Sequence, residues 1–176
     1  EEVLEKVEVE LENGDYLAVW IEPLLQKTMA KTSLQFLTSL KTLCHKYGVP
    51  LVYNETASQM FRYSEESFFL SEVEAVKPDG GFAYFGGQAA FAFCSDEYFL
   101  EKPLMMISTW DGDEFSLANY HLAMKNILNN KKEFLKTKKD FQEKLIALLE
   151  KYSTHHFQLY NGVGNFQGKI PHGLSK

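Results

Sequence analysis

"TSLQFLTSLKTLCHKYGVPLVYN", residues 32–54, decides the fold. Leu34, Leu37, Leu40, Leu43, Cys44 and Tyr47 recur at helical spacing. Thr32 or Ser33 can cap the first turn, Gly48 can take the left-handed position just past the helix, and Pro50 prevents its continuation. The apolar run "PLVYN" then reads as a buried strand. Upstream, "YLAVWIE", 16–22, is a second short apolar run, ending in Glu22-Pro23. Strand, helix, strand is a βαβ unit, so the two strands are expected to lie parallel with a right-handed crossover.

The rest of the chain is read outward from this unit. Residues 1–12 look like the end of a helix, although Val-Glu-Val-Glu-Leu also alternates as a strand does, and "NGD", 13–15, is a turn. Residues 65–77 read as a short helix and loop. "GGFAYFGGQAAFAFC", 80–94, reads as two short strands around Gly86-Gly87. "LMMISTW", 104–110, is a strand or extended loop. Two helices are expected over about 114–129 and 131–152, the second with Phe134, Phe141, Leu145, Leu148 and Tyr152 on one face. "HFQLYNGVGNFQGKI", 156–170, reads as short strands with glycine turns. The fold class is therefore α/β with a mainly parallel sheet over 1–111, followed by an α+β portion over 112–176.

Composition narrows the function. The 176 residues are one domain's worth, and 45% apolar with 24% charged is a globular balance. A net charge of −6 makes nucleic acid an unexpected partner. No run approaches the roughly 20 apolar residues of a membrane span. Cys44 and Cys94 lie far apart and read as buried free thiols, which fits a reducing, cytoplasmic compartment. The opening "EEVLEKVEVELENG" reads as the middle of something longer.

Several residues could carry chemistry. Glu22 and Glu55 each stand at the C-terminal end of an expected strand, and in a parallel sheet those ends line one edge, where ligands bind. Two carboxylates in one cleft can do acid–base work; alternatively, each satisfies a nearby loop or helix start. His155 and His156 are adjacent, so on a strand they point to opposite faces and chelate poorly; no metal site is expected. Gly80-Gly81 and Gly86-Gly87 read as tight turns or, with less support, as anion-binding nests. Ser108-Thr109 can donate to a phosphate or cap the next helix, Asp96-Glu97 starts a helical turn, and the Lys-rich run 131–139 reads as a solvated helix face.

Taken together, these segments resemble the class III (ω-) aminotransferases, fold-type I enzymes that use pyridoxal phosphate. "AVWIEPL", 18–24, resembles that family's strand ending in Val-Glu-Pro. "LCHKYGVPLVYNETASQMFRYS", 43–64, resembles its helix, strand and "LIFDEVQTGFGRTG" loop. "VKPDGGFAYFGG", 76–87, resembles "VKPDIVTLGKALGGG", and "LYNGVGNFQGKI", 159–170, resembles "DVRGRGLMLGIEL". "STWDGD", 108–113, resembles the family's Thr-aromatic-Gly-Gly turn, and its "STW" resembles the lysine ε-aminotransferase branch in particular. The resemblance is collinear over nearly the whole chain. It implies a partial large domain over 1–111 and the start of the small domain over 112–176.

The same resemblance implies that chemistry is lost. The family's first acid of "DE", which pairs with the protonated pyridine nitrogen of the cofactor, falls at Asn54. An amide cannot hold that nitrogen protonated. The family's Gln near the cofactor falls at Ala57, and the two arginines of "RGRG" fall at Asn161 and Val163. The Schiff-base lysine falls near Ala83, Phe85 or Gly87, none of which is an amine. Kept are Glu22, Glu55, Arg62 and Thr109, the last matching a Thr that reaches the cofactor phosphate across the family's dimer.

The expectation is a domain without transamination chemistry that acts as a structural, dimerising or ligand-sensing module. Asn54 and Thr109 would be vestigial cofactor contacts, and Glu22 and Glu55 the substrate cleft. No cofactor is expected, pyridoxal phosphate being the one candidate. The family's N-terminal half has no counterpart here, and a parallel sheet needs cover on both faces. That cover is expected from the missing half or another domain of the same protein, with a homodimer carried over from the family. Two rival readings remain: an active aminotransferase whose lysine comes from elsewhere, and an unrelated α/β binding module.

Overall fold

The computed structural model describes residues 2–28, 30–86, 89–99, 101–102, 113–152, 158–162 and 165–169. In chain order they form α1 (Glu2–Asn13), β1 (Val19–Ile21), α2 (Leu34–Lys46), β2 (Leu51–Asn54), β3 (Gly80–Gly86), β4 (Ala89–Cys94), α3 (Glu114–Asn129), α4 (Lys131–Tyr152), β5 (Gln158–Gly162) and β6 (Asn165–Lys169). Two 3-10 turns, Leu70–Glu72 and Glu74–Val76, lie between β2 and β3.

The βαβ unit forms as its sequence dictates. Ser33 caps α2, its hydroxyl accepting from the Phe36 amide at 3.1 Å. Gly48 ends the helix at φ +66°, a conformation that costs a glycine little. β1 and β2 pair in parallel, Val19 opposite Leu51 and Ile21 opposite Tyr53. β3 continues the parallel sheet beside β2, and β4 returns antiparallel from β3. The order β1-β2-β3-β4 is thus mainly parallel. β5 and β6 form a separate antiparallel hairpin.

The core lies on one face of this sheet. Leu37, Leu40 and Cys44 of α2 pack with Leu51 and Tyr53 of β2, Leu24, Leu70 and Val76. Leu4 and Val7 of α1 close the cluster from the side. Each fully buried Leu contributes about 1.5–3 kcal/mol relative to an exposed one. The alternate residues form the other face, and there Trp20 is 60% exposed, its ring resting on Phe82 at 4.7 Å between centroids.

Three local expectations are corrected. Gly80-Gly81 is not a turn but the start of β3. A Cβ on Gly81 would lie 2.7 Å from the Phe93 ring and 2.9 Å from the Tyr53 carbonyl oxygen, so the glycine is required by close strand packing. Cys94 is exposed rather than buried, because it ends β4, whose residues from Ala90 on are mostly exposed. The lysine run is not simply a solvated face: Lys131 donates to the Glu66 carbonyl at 2.9 Å and Lys138 to the Phe61 carbonyl at 2.8 Å. Both sit on the stripe that carries Phe134, so α4 meets the 56–69 loop with this side. Among the described residues no helix is long and apolar enough to cross a membrane.

Candidate functional site

The C-terminal ends of β1 and β2 bring Glu22 and Asn54 together. Ile21 is the register partner of Tyr53, so the residues that follow, Glu22 and Asn54, emerge side by side. The Asn54 amide donates to Glu22 Oε1 at 3.1 Å. Glu22 Oε2 accepts from the Gln26 amide at 3.0 Å. Asn54 Oδ1 accepts from the Thr56 amide at 3.0 Å, an Asx turn that bends the chain off the strand. Thr56 Oγ1 in turn accepts from the Tyr84 amide at 3.1 Å, which ties the turn to β3.

Glu55 does not join this pair. Strand alternation sends it to the core side, where it is 0% exposed. Its carboxylate accepts from the backbone amides of Leu70 at 2.6 Å and Ser71 at 2.9 Å, and from the Ser58 hydroxyl at 3.3 Å. It therefore holds the first 3-10 turn to the end of β2. Three donors satisfy a carboxylate that would otherwise be costly to bury. Glu22 and Glu55 line no common cleft, because adjacent strand-end residues face opposite sides of the sheet.

The candidate lysine positions are filled by packing. Ala83 is 1% exposed in β3. Phe85 stacks on Tyr120 of α3, the ring planes within 8° of parallel. Burial raises the pKa of the Tyr120 phenol, and among the described residues its hydroxyl has no hydrogen-bond partner. Ala57 is buried in the core cluster. Gly87, Thr109, the Ser108–Trp110 motif, His155, His156 and Val163 lie outside the described residues; Asn161 lies in β5.

Pyridoxal phosphate is not matched by what the strand ends offer. Asn54, which the resemblance would set against a pyridine nitrogen, is neutral, and its amide and oxygen are both engaged within the protein. Neither described candidate position carries an amine. No step is therefore derived through that cofactor.

Sequence reasoning did not find the opposite end of the sheet. Asp79, just before β3, accepts from the Leu51 amide at 2.8 Å and pairs with His45 of α2 at 3.1 Å. This joins helix, β2 and β3 at the N-terminal edge of the strands. The signal lay in the order of the segments: Asp79 and Leu51 both open strands of the same sheet.

No family model matches the chain. Solved structures do. The ornithine δ-aminotransferase of Plasmodium falciparum matches with a TM-score of 0.69 at 23% identity, over 94% of this chain and 46% of that one. An ornithine aminotransferase of Plasmodium yoelii matches with a TM-score of 0.67 at 24% identity, with the same coverage. The chain thus spans less than half the length of the structures it matches. At such identity the likeness speaks for the fold, and the conclusion is that this chain has a partial aminotransferase fold, α/β with a mostly parallel sheet.

Proposed function

We propose that this chain is an aminotransferase-fold module that does not transaminate and that serves as a structural, dimerising or ligand-sensing part of a larger assembly. The observation that carries the reading is the Glu22–Asn54 hydrogen bond. It puts a neutral amide where the resemblance implies an acid, and it closes that amide onto the neighbouring carboxylate. The buried Ala83 and the stacked Phe85 support the same reading, because each occupies by packing a place where an amine would be needed.

The larger assembly is supported by two observations. The matched structures are about twice as long. Trp20 and Leu17, at 60% and 92% exposure, leave apolar surface beside a parallel edge strand, and parallel sheets are covered on both faces in stable proteins. The cover is assigned to a further segment of the same protein or to a second copy of the chain. Residues 1–111 would form the large-domain part and residues 112–176 the start of a small domain. The lysine ε-aminotransferase flavour rests on residues 108–110 alone, whereas the matched structures are ornithine aminotransferases.

The test is to add pyridoxal phosphate, record the near-ultraviolet and violet absorbance, reduce with borohydride, dialyse, and map the peptides. The expected spectrum returns to that of the protein alone. A reduced adduct fixed to one lysine peptide would overturn the proposal in favour of an active enzyme with a lysine from elsewhere.

A further inference from the structure

Helix α4 is fastened to the 56–69 loop by side chains of its first two turns. Lys131 donates to the Glu66 carbonyl at 2.9 Å and lies over the Phe61 ring at 4.7 Å. Phe134 meets the same ring, the centroids 6.3 Å apart. Lys138 donates to the Phe61 carbonyl at 2.8 Å. Burial lowers the pKa of Lys138, and Glu65 of the same loop opposes this more than Arg62 adds to it. Residues 131, 134 and 138 follow the three-then-four spacing of one helix stripe. That stripe runs on through Phe141 and Leu148, which are 63% and 53% exposed. Among the described residues of α3 and α4 none is buried, so the helix belongs to the parts of a fold that open at little cost.

The loop beneath is held away from the shape its residues prefer. Met60 and Phe61 are consecutive residues at φ +58° and +57°, a left-handed pair that bulky side chains rarely adopt. Such a pair persists where its surroundings over-determine it. Phe61 is buried, edge-on to Phe68 at 5.6 Å between centroids, and its ring and carbonyl take the contacts of Lys131, Phe134 and Lys138. On its other side the loop reaches the strand ends. The Thr56 carbonyl accepts from Gln59 Nε2 at 3.2 Å and from Arg62 Nη1 at 3.3 Å, donors that flank the left-handed pair. The Thr56 amide donates to Asn54 Oδ1, and the Thr56 hydroxyl oxygen accepts from the Tyr84 amide. A continuous chain of contacts thus runs from α4 through Phe61 and Arg62 to Thr56 and Asn54.

We propose that α4 is a strap with two states: docked, it holds the 56–69 loop in its left-handed turn and Asn54 and Thr56 in place at the strand ends; lifted, it releases both. The test reads amide hydrogen exchange residue by residue in the whole chain. The amides of Gln59, Arg62 and Tyr63, which donate to the Glu55, Gln59 and Ser58 carbonyls, report the loop. The Thr56 and Tyr84 amides report the strand ends. The Leu51 amide, bonded to Asp79 at the far edge of the sheet, is the reference. Lys138→Met removes a charge-assisted hydrogen bond and keeps the apolar stem; it should speed exchange at the loop and strand-end amides about tenfold with Leu51 unchanged. Phe134→Ala should do the same through the ring, and Lys138→Met serves alone if that variant does not fold. The strap is overturned if the loop amides exchange as in the unmodified chain, or if Leu51 speeds up equally, which would mean a general loosening. Faster loop amides beside protected Thr56 and Tyr84 would also overturn it, since α4 would then not reach the strand ends.

Discussion

Asn54 and Glu55 are neighbours in the chain, yet they serve opposite faces of the sheet. Glu55 points into the core and fastens the Leu70–Glu72 turn through two backbone amides. Asn54 points to the half-open face and, among the described residues, bonds to Glu22 and closes its own Asx turn. The core-side residue is fixed by two backbone amides and the Ser58 hydroxyl. The open-side residue is held at a strand end by one bond to the Glu22 side chain and one from the Thr56 amide. Fold and function are therefore separable at this corner: one residue can be altered only at the expense of the loop, the other with the loop left in place.

That difference can be broken from either side. The largest effect is expected from Glu55→Gln, where one carboxamide nitrogen would confront the Leu70 or Ser71 amide. A loss of about 3 kcal/mol is expected from the urea midpoint, because a buried donor is left without an acceptor. Asn54→Asp should cost less and should depend on pH. The new carboxylate would sit against Glu22, and one member of the pair would have its folded-state pKa raised above the unfolded value. A raised carboxyl pKa makes the folded form bind more protons, so stability falls as pH rises through that window. The variant should be about 1–2 kcal/mol less stable at neutral pH and should approach the unmodified chain in mild acid. An equal penalty at both pH values would mean that the pair is solvated and uncoupled. The smallest effect is expected from Tyr53→Phe. Among the described residues the buried Tyr53 hydroxyl has no hydrogen-bond partner. Its removal should leave stability unchanged or raise it by up to about 1 kcal/mol, read from the same urea titration.

Much of the α/β unit was legible because its punctuation is local. Ser33, Gly48 and Pro50 mark the ends of α2, and the apolar runs on either side can only be strands of one sheet. The sequence reading joins Glu22 to Glu55, whereas the structure joins Glu22 to Asn54, because the parallel register sets those two side by side and strand alternation turns Glu55 to the core. What stayed hidden depends on contacts between distant segments. Gly80-Gly81 looked like a turn, because nothing local announces that Phe93 crosses above Gly81. Lys131 and Lys138 looked solvated, because the carbonyls that receive them belong to a loop some seventy residues earlier. The left-handed Met60-Phe61 pair carries no glycine or asparagine to betray it. The motif around Thr109 lies outside the described residues, so the sequence reading of it stands alone.

The two thiols, unremarkable as chemistry, give the molecule a clock. Cys44 is fully buried beneath α2, and burial first, then Asp79, pushes its thiol up to about 11. Cys94 stands exposed at the end of β4. A thiol reagent at neutral pH will therefore label Cys94 at the rate of an open site, and Cys44 only when α2 lifts from the sheet. The lag between the first and second label counts those openings directly. It reports how often the helix leaves the strands that carry Glu22 and Asn54, with no probe added to the protein.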